Sequence, residues 1–157
     1  MLAGEYCNRD VAILGKTDSV VKAAQLMREC HVGDVLVVES RNDERVPVGI
    51  LTDRDIVIGV LAEEVDINIV TVEDVMSCKL ITSRESDDLM ITIKRMRANG
   101  VRRIPIVNQR GGLVGILSTD DILDVIAEQL MDIDQIITRE QSKERELRPA
   151  TIKNRYG

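Results

Sequence analysis

Two short stretches carry the residues best suited to chemistry: Gly49-Ile50-Leu51-Thr52-Asp53-Arg54-Asp55 and Gly115-Ile116-Leu117-Ser118-Thr119-Asp120-Asp121. Each sets a hydroxyl residue three positions before a carboxylate, Thr52 with Asp55 and Ser118 with Asp121, directly after an apolar run. Two chemistries fit that spacing. Ser/Thr-x-x-Asp/Glu closes a capping box that satisfies the orphan amides of a helix start without any ligand. Amides at a helix start also bind anions, and a carboxylate accepts hydrogen bonds from ribose hydroxyls, so the same residues suit a nucleoside phosphate. Glycine at the matching strand position, Gly49 and Gly115, either admits another group close to the backbone or marks a bulge or tight packing. Arg54 is placed to reach a phosphate or to pair with Asp53 or Asp55.

Other chemistries are poorly supplied. His31 is the sole histidine, which leaves a nucleophile only one imidazole base to draw on and excludes a His-rich zinc site; it reads as a helix-end or surface residue. Cys7, Cys30 and Cys78 are odd in number, far apart and without paired ligand spacing, so they read as reduced thiols. No motif gathers a base, a nucleophile and an oxyanion site. The expectation is a non-catalytic protein with no catalytic residues, metal or catalytic cofactor.

Composition narrows the partners. The 157 residues include 21 basic and 27 acidic side chains, a formal charge of −6, which disfavours DNA and anionic membrane. Tyr6 and Tyr156 are the only aromatic residues. A bound base must therefore lie between aliphatic side chains, and the stacking platforms of single-strand binders are missing. No apolar run approaches the ~20 residues of a membrane span, and Met1-Leu2-Ala3-Gly4-Glu5 lacks the basic and apolar regions of a signal peptide, so a cytoplasmic location is expected.

The elements that must position these residues are written twice. Val20 to Arg28 sits over Leu89 to Arg97, with Met27 and Met96 separated by 69 residues. The same displacement pairs Asp18 with Asp87, Val32 with Val101, and Val35-Leu36-Val37-Val38 with Ile104-Pro105-Ile106-Val107. Gly49 and Gly115 lie 66 apart, and the difference falls in the polar stretch Glu39 to Arg45, read as a surface loop. Each copy opens with a β-type stretch (Val11 to Leu14; Leu80 to Thr82) and Ser/Thr/Asp caps. Apolar residues then recur at helical spacing: Val20, Ala23, Ala24 and Met27; Leu89, Ile93 and Met96. Two β runs joined by a polar turn follow (Val35 to Val38 and Val46 to Leu51; Ile104 to Val107 and Leu113 to Leu117). A second amphipathic helix closes each copy, using Ile56, Val57, Val60 and Leu61, or Ile122, Leu123, Val125 and Ile126. The expected fold is α/β of the α+β kind: two β-α-β-β-α repeats packed sheet to sheet about a pseudo-twofold axis, since neither ~60-residue copy buries much surface alone, with two related clefts. Expected boundaries are 1–70, 71–130 and a charged helical or partly disordered tail, 131–157. In the tail an apolar stripe, Leu130, Ile133 and Ile137, fades into Arg139 to Glu146 before Pro149. It reads as a solvated extension or as a dimer-stabilising helix.

This grammar, together with Asn99-Gly100-Val101-Arg102-Arg103-Ile104-Pro105-Ile106-Val107 followed by Gly115 to Asp121, resembles a tandem pair of CBS domains, the cystathionine-β-synthase-type repeat of Bateman modules. The resemblance covers roughly Gly4 to Leu130. It implies a regulatory sensor of an adenine nucleotide (AMP, ADP or ATP) that passes a conformational change to a protein partner or to its own oligomer. It implies the ribose on Thr52 with Asp55 and on Ser118 with Asp121, and adenine against Ala12, Ile13, Ile81, Thr82, Ile104 and Pro105. Arg102 and Arg103 would meet the phosphates; otherwise they are a solvated pair. S-adenosylmethionine or NAD would share the adenosine end. A homodimer is implied, with exposed helices such as Ile122 to Ile126 in contact. A ligand-free interaction scaffold, its Thr/Asp pairs serving only as caps, is the alternative.

The first copy departs from the pattern: Gly33-Asp34 stands where the second has Arg102-Arg103, and Leu36 replaces Pro105. A carboxylate ~4 Å from a phosphate costs about 4 kcal/mol before screening at an effective dielectric near 20. Unequal clefts follow as an expectation, the one using Asp121 and Arg102 taking a phosphorylated ligand and its twin weak or empty.

Overall fold

The computed structural model describes residues 1–148; residues 149–157, with Pro149, Tyr156 and the end of the expected tail, lie outside the described residues. The chain divides into two compact units, one from Met1 to Thr119 and the other from Asp120 onward.

In the first unit the elements run α1 (Ala3–Tyr6), β1 (Ile13–Leu14), α2 (Val20–Cys30), β2 (Asp34–Arg41), β3 (Glu44–Thr52) and α3 (Asp53–Ile56), which continues as a π turn over Val57–Leu61. They repeat as α4 (Val72–Val75), β4 (Ser83–Arg84), α5 (Leu89–Asn99), β5 (Arg103–Val107) and β6 (Leu113–Ser118). Each copy forms its own three-stranded sheet, ordered β1-β2-β3 and β4-β5-β6. In both the short first strand pairs parallel and the hairpin antiparallel, with the ladder interrupted at the same place, Val37/Val38 and Ile106/Val107.

Local sequence accounts for these bounds. The Ser19 hydroxyl accepts the Lys22 N–H at 3.1 Å and opens α2, while the Asp88 carboxylate accepts the Met90 and Ile91 amides and opens α5. The helices stop in left-handed backbone, at His31 (φ 55°) and Gly100 (φ 64°), where the freed carbonyls are capped. Buried Leu14, Ala23, Met27, Val35, Val37, Leu51 and Val72 pack into one apolar cluster, and Val20, Val60 and Val70 into another.

Three sequence expectations shift. The polar stretch from Glu39 to Arg45 is mostly strand: β2 and β3 stay paired out to Arg41 and Glu44. Asn42 and Asp43, both with positive φ, make a two-residue turn of the kind these side chains tolerate. The first strand of the second copy forms at Ser83–Arg84 rather than Leu80–Thr82, because that is where a parallel partner in β5 is available. The second helix of the first copy buries Val60 but leaves Val57 and Leu61 on the surface, since the π turn rotates part of its apolar face outward.

Each copy's lead-in segment pairs with the other copy. Asn8 exchanges backbone hydrogen bonds with Ile116 at 2.8 and 2.9 Å, and Ser77 does so with Ile50 at 2.9 and 3.1 Å. Likewise the Ala3 N–H reaches the Asp87 carbonyl (2.9 Å), and the Val72 N–H reaches that of Asp18 (2.8 Å). All four contacts obey the repeat's displacement, so the two sheets are tied by a reciprocal exchange.

Among the described residues the second unit is one helix. α6 (Thr119–Leu147) starts at the last residue of the first unit and runs for 29 residues, about 43 Å at 1.5 Å per residue. Ile122 and Val125 are its buried residues. The helix continues through the charged stretch Arg139 to Glu146, where Arg, Glu, Gln and Lys are strong helix formers.

Candidate functional site

A cleft of about 270 Å³ in the first unit is lined by both copies: Asp34, Ile50 and Thr52 from the first, Lys79, Leu80, Ile81, Val101, Arg102, Arg103 and Pro105 from the second. Its size sits just below the usual ~300–1,000 Å³ of small-ligand sites. One wall is aliphatic; the rim carries three cations, with Thr52 at the end of β3 offering a hydroxyl. No histidine lines it, His31 being at the exposed end of α2.

Of the residues expected at a ligand, the cleft gathers Thr52, Ile81, Arg102, Arg103 and Pro105. Its wall does not include Asp55. That carboxylate completes a capping box: its Oδ2 accepts the Thr52 N–H at 2.9 Å, and Thr52 Oγ1 accepts the Asp55 N–H at 3.1 Å. Arg54 is exposed on α3. Ile104 is fully buried because strand alternation points it away from the face that Arg103 presents. Ala12 packs on the first apolar cluster, and its carbonyl accepts the Leu36 N–H. Ile13 faces an outer hollow with Asp18, Lys22 and Glu29. Thr82 faces the matching hollow of the second copy, beside Arg84, Asp87 and Arg95. Ser118, half-buried, ends β6 opposite Arg103, and Asp121 belongs to the helical unit.

The matched glycines serve the chain itself. A Cβ on Gly115 would stand 2.6 Å from the Asn8 carbonyl oxygen and 2.7 Å from Cys7 Sγ; one on Gly49 would stand 2.8 Å from Met76 Sδ and 3.0 Å from the Ser77 carbonyl oxygen. The group that approaches the backbone is the other copy's lead-in segment.

Sequence reasoning did not name five of the cleft residues as ligand contacts: the aliphatic Ile50, Leu80 and Val101, and the charged Lys79 and Asp34. Nothing marks Lys79 as different from other surface lysines. Asp34 was visible as a departure, but the expectation placed it in a separate cleft from Arg102. The structure puts both in one cleft, with Asp34 Oδ2 2.5 Å from a guanidinium nitrogen of Arg103. The side chain of Asp34 is 9% exposed and that of Arg103 42%. Burial pushes the Asp34 carboxyl above the usual range, Arg103 opposes that and Asp53 adds to it. The contact is an ion pair only: among the described residues no donor meets that oxygen in hydrogen-bonding geometry. Lys79 and Arg102 enter no salt bridge among the described residues.

The CBS domain model matches residues 3–61 and again 72–128. An uncharacterized protein of Methanopyrus kandleri is 38% identical over 122 residues, 78% of this chain and 61% of its own length. Among solved structures, Hypoxic Response Protein I, crystallised with two coordinated zinc ions, is 30% identical with a TM-score of 0.68, over 79% of this chain and 98% of that one. A CBS domain protein from Pyrobaculum aerophilum, complexed with AMP, is 25% identical with a TM-score of 0.68, over 77% of this chain and 89% of that one.

Proposed function

This chain belongs to the CBS domain family, carrying that domain twice, and from this premise we propose that it is a non-catalytic regulatory module whose inter-copy cleft binds an adenine nucleotide. One observation carries the reading: aliphatic Ile50, Leu80, Ile81, Val101 and Pro105 share a cleft with the Thr52 hydroxyl and with Lys79, Arg102 and Arg103. Such a wall holds a base without aromatic stacking, the hydroxyl suits a sugar, and the cations suit phosphate. The AMP-bound relative from Pyrobaculum supports the ligand class. A ligand seated there touches β3 of one copy and β5 of the other, so it favours whichever relative setting of the copies fits it best and shifts the population toward that state. The receiver of that shift is a protein partner or a second copy of the chain, paired through the exposed apolar stripe of α6. The match spans about three fifths of the Methanopyrus relative.

Isothermal calorimetry with AMP, ADP, ATP, adenosine, S-adenosylmethionine and NAD tests the reading. AMP is expected to bind, and Arg102→Gln to weaken it about tenfold or more while changing adenosine little. A ligand at a hundredfold excess over Kd also raises folding stability by about 2.7 kcal/mol. No heat and no thermal shift with any of the six overturns the reading in favour of an interaction scaffold.

A further inference from the structure

Asp34 is an acid in a cleft whose other charged residues, Lys79, Arg102 and Arg103, are all cations. Asp34 and Arg103 stand 69 positions apart, the repeat displacement, so they hold the same place in the two copies, and they meet. Identical residues there would set like charges face to face; divergence to an acid and a base makes the meeting attractive. A buried carboxylate needs a cation beside it, and Asp34 takes Arg103. Of the three cations, that leaves Lys79 and Arg102 for a ligand's anion. A phosphate drawn toward Arg103 must displace Asp34 or sit against it, and each added phosphate charge increases the repulsion.

Resting on the nucleotide reading above, we propose that Asp34 is a specificity-determining residue: a tethered carboxylate that competes with ligand phosphate for Arg103 and limits the negative charge the cleft accepts. The cleft thereby favours a nucleoside monophosphate over the triphosphate. The pair also joins β2 of one copy to β5 of the other, so an anion that does capture Arg103 breaks a tie between the copies.

Calorimetry with adenosine, AMP and ATP on the full chain decides it. Asp34→Asn is expected to tighten AMP about tenfold and ATP by more, with adenosine unchanged within about twofold. Arg103→Gln is expected to weaken AMP about threefold or less when Asp34 is present to hold Arg103, and about tenfold or more in the Asp34→Asn background, where Arg103 is released to the phosphate. An unchanged ATP-to-AMP ratio in Asp34→Asn, or additive effects of the two substitutions, overturns the proposal while AMP binding to the wild type leaves the nucleotide reading standing. No binding of adenosine or AMP to either protein overturns the nucleotide reading, and the proposal with it. Circular dichroism checks each fold, and Asp34→Ser replaces Asp34→Asn if the latter does not fold.

Discussion

At Gly115 and Gly49 the missing side chain is a matter of tenths of an ångström. The nearest obstacle to a Cβ at Gly115 is a backbone oxygen, that of Asn8, whereas at Gly49 it is the thioether sulfur of Met76. Methionine rotates out of the way more readily than a hydrogen-bonded peptide moves. Gly115→Ala is therefore expected to cost about 2–3 kcal/mol, and Gly49→Ala about 1–2 kcal/mol. Urea unfolding followed by circular dichroism gives the comparison; a harmless Gly115→Ala would mean that the lead-in segment is not seated there. The capping box of Thr52 and Asp55 belongs to the same scale. Its two hydrogen bonds show that a spacing suited to a ligand is already occupied by the chain's own backbone, and Thr52 is the member of the pair that also reaches the cleft.

Among the elements, α6 stands apart because one of its faces is left apolar. Leu123, Ile126, Leu130, Ile133 and Ile137 are between 43% and 62% exposed, and they recur at alternating steps of three and four. That 3.5-residue period is the seam of a coiled coil, not the broader face of a helix on a globular core. The self-association proposed above is expected to run along it. Light scattering after size exclusion should report two or more chains for the wild type and one for Leu130→Glu/Ile133→Glu, with the unfolding of the first unit unaffected. A wild type that stays monomeric at high concentration removes the pairing. Within the stretch Ile122 to Ile126 expected at such a contact, Leu123 and Ile126 are exposed, whereas Ile122 and Val125 are buried.

In the first unit as a whole, the reciprocal exchange makes the copies interdependent. Removing residues 1–8 takes away the fully buried Ala3 and the pair of hydrogen bonds between Asn8 and Ile116. The loss is expected to be about 3 kcal/mol or more. Hydrogen exchange should accelerate at the Ile116 amide and remain slow at Ile50, whose partner Ser77 is still present. Unchanged protection at Ile116 would refute the exchange.

Several features were legible in the residues alone because they depend only on near neighbours along the chain. The α+β order, the Ser/Thr/Asp residues ahead of each copy's first helix and the capping spacing at Thr52 rest on contacts within a few positions, and the duplication shows when the chain is laid over itself. The cleft's membership was legible only in part. Thr52, Ile81, Arg102, Arg103 and Pro105 were nameable as candidates, but the meeting of Asp34 with Arg103 and the seating of Asn8 beside Gly115 join residues far apart in sequence. Spacing carries no record of how the two copies are turned toward each other. That orientation is set by packing and by the crossed lead-in segments, so only the tertiary structure decided which acid faces which base.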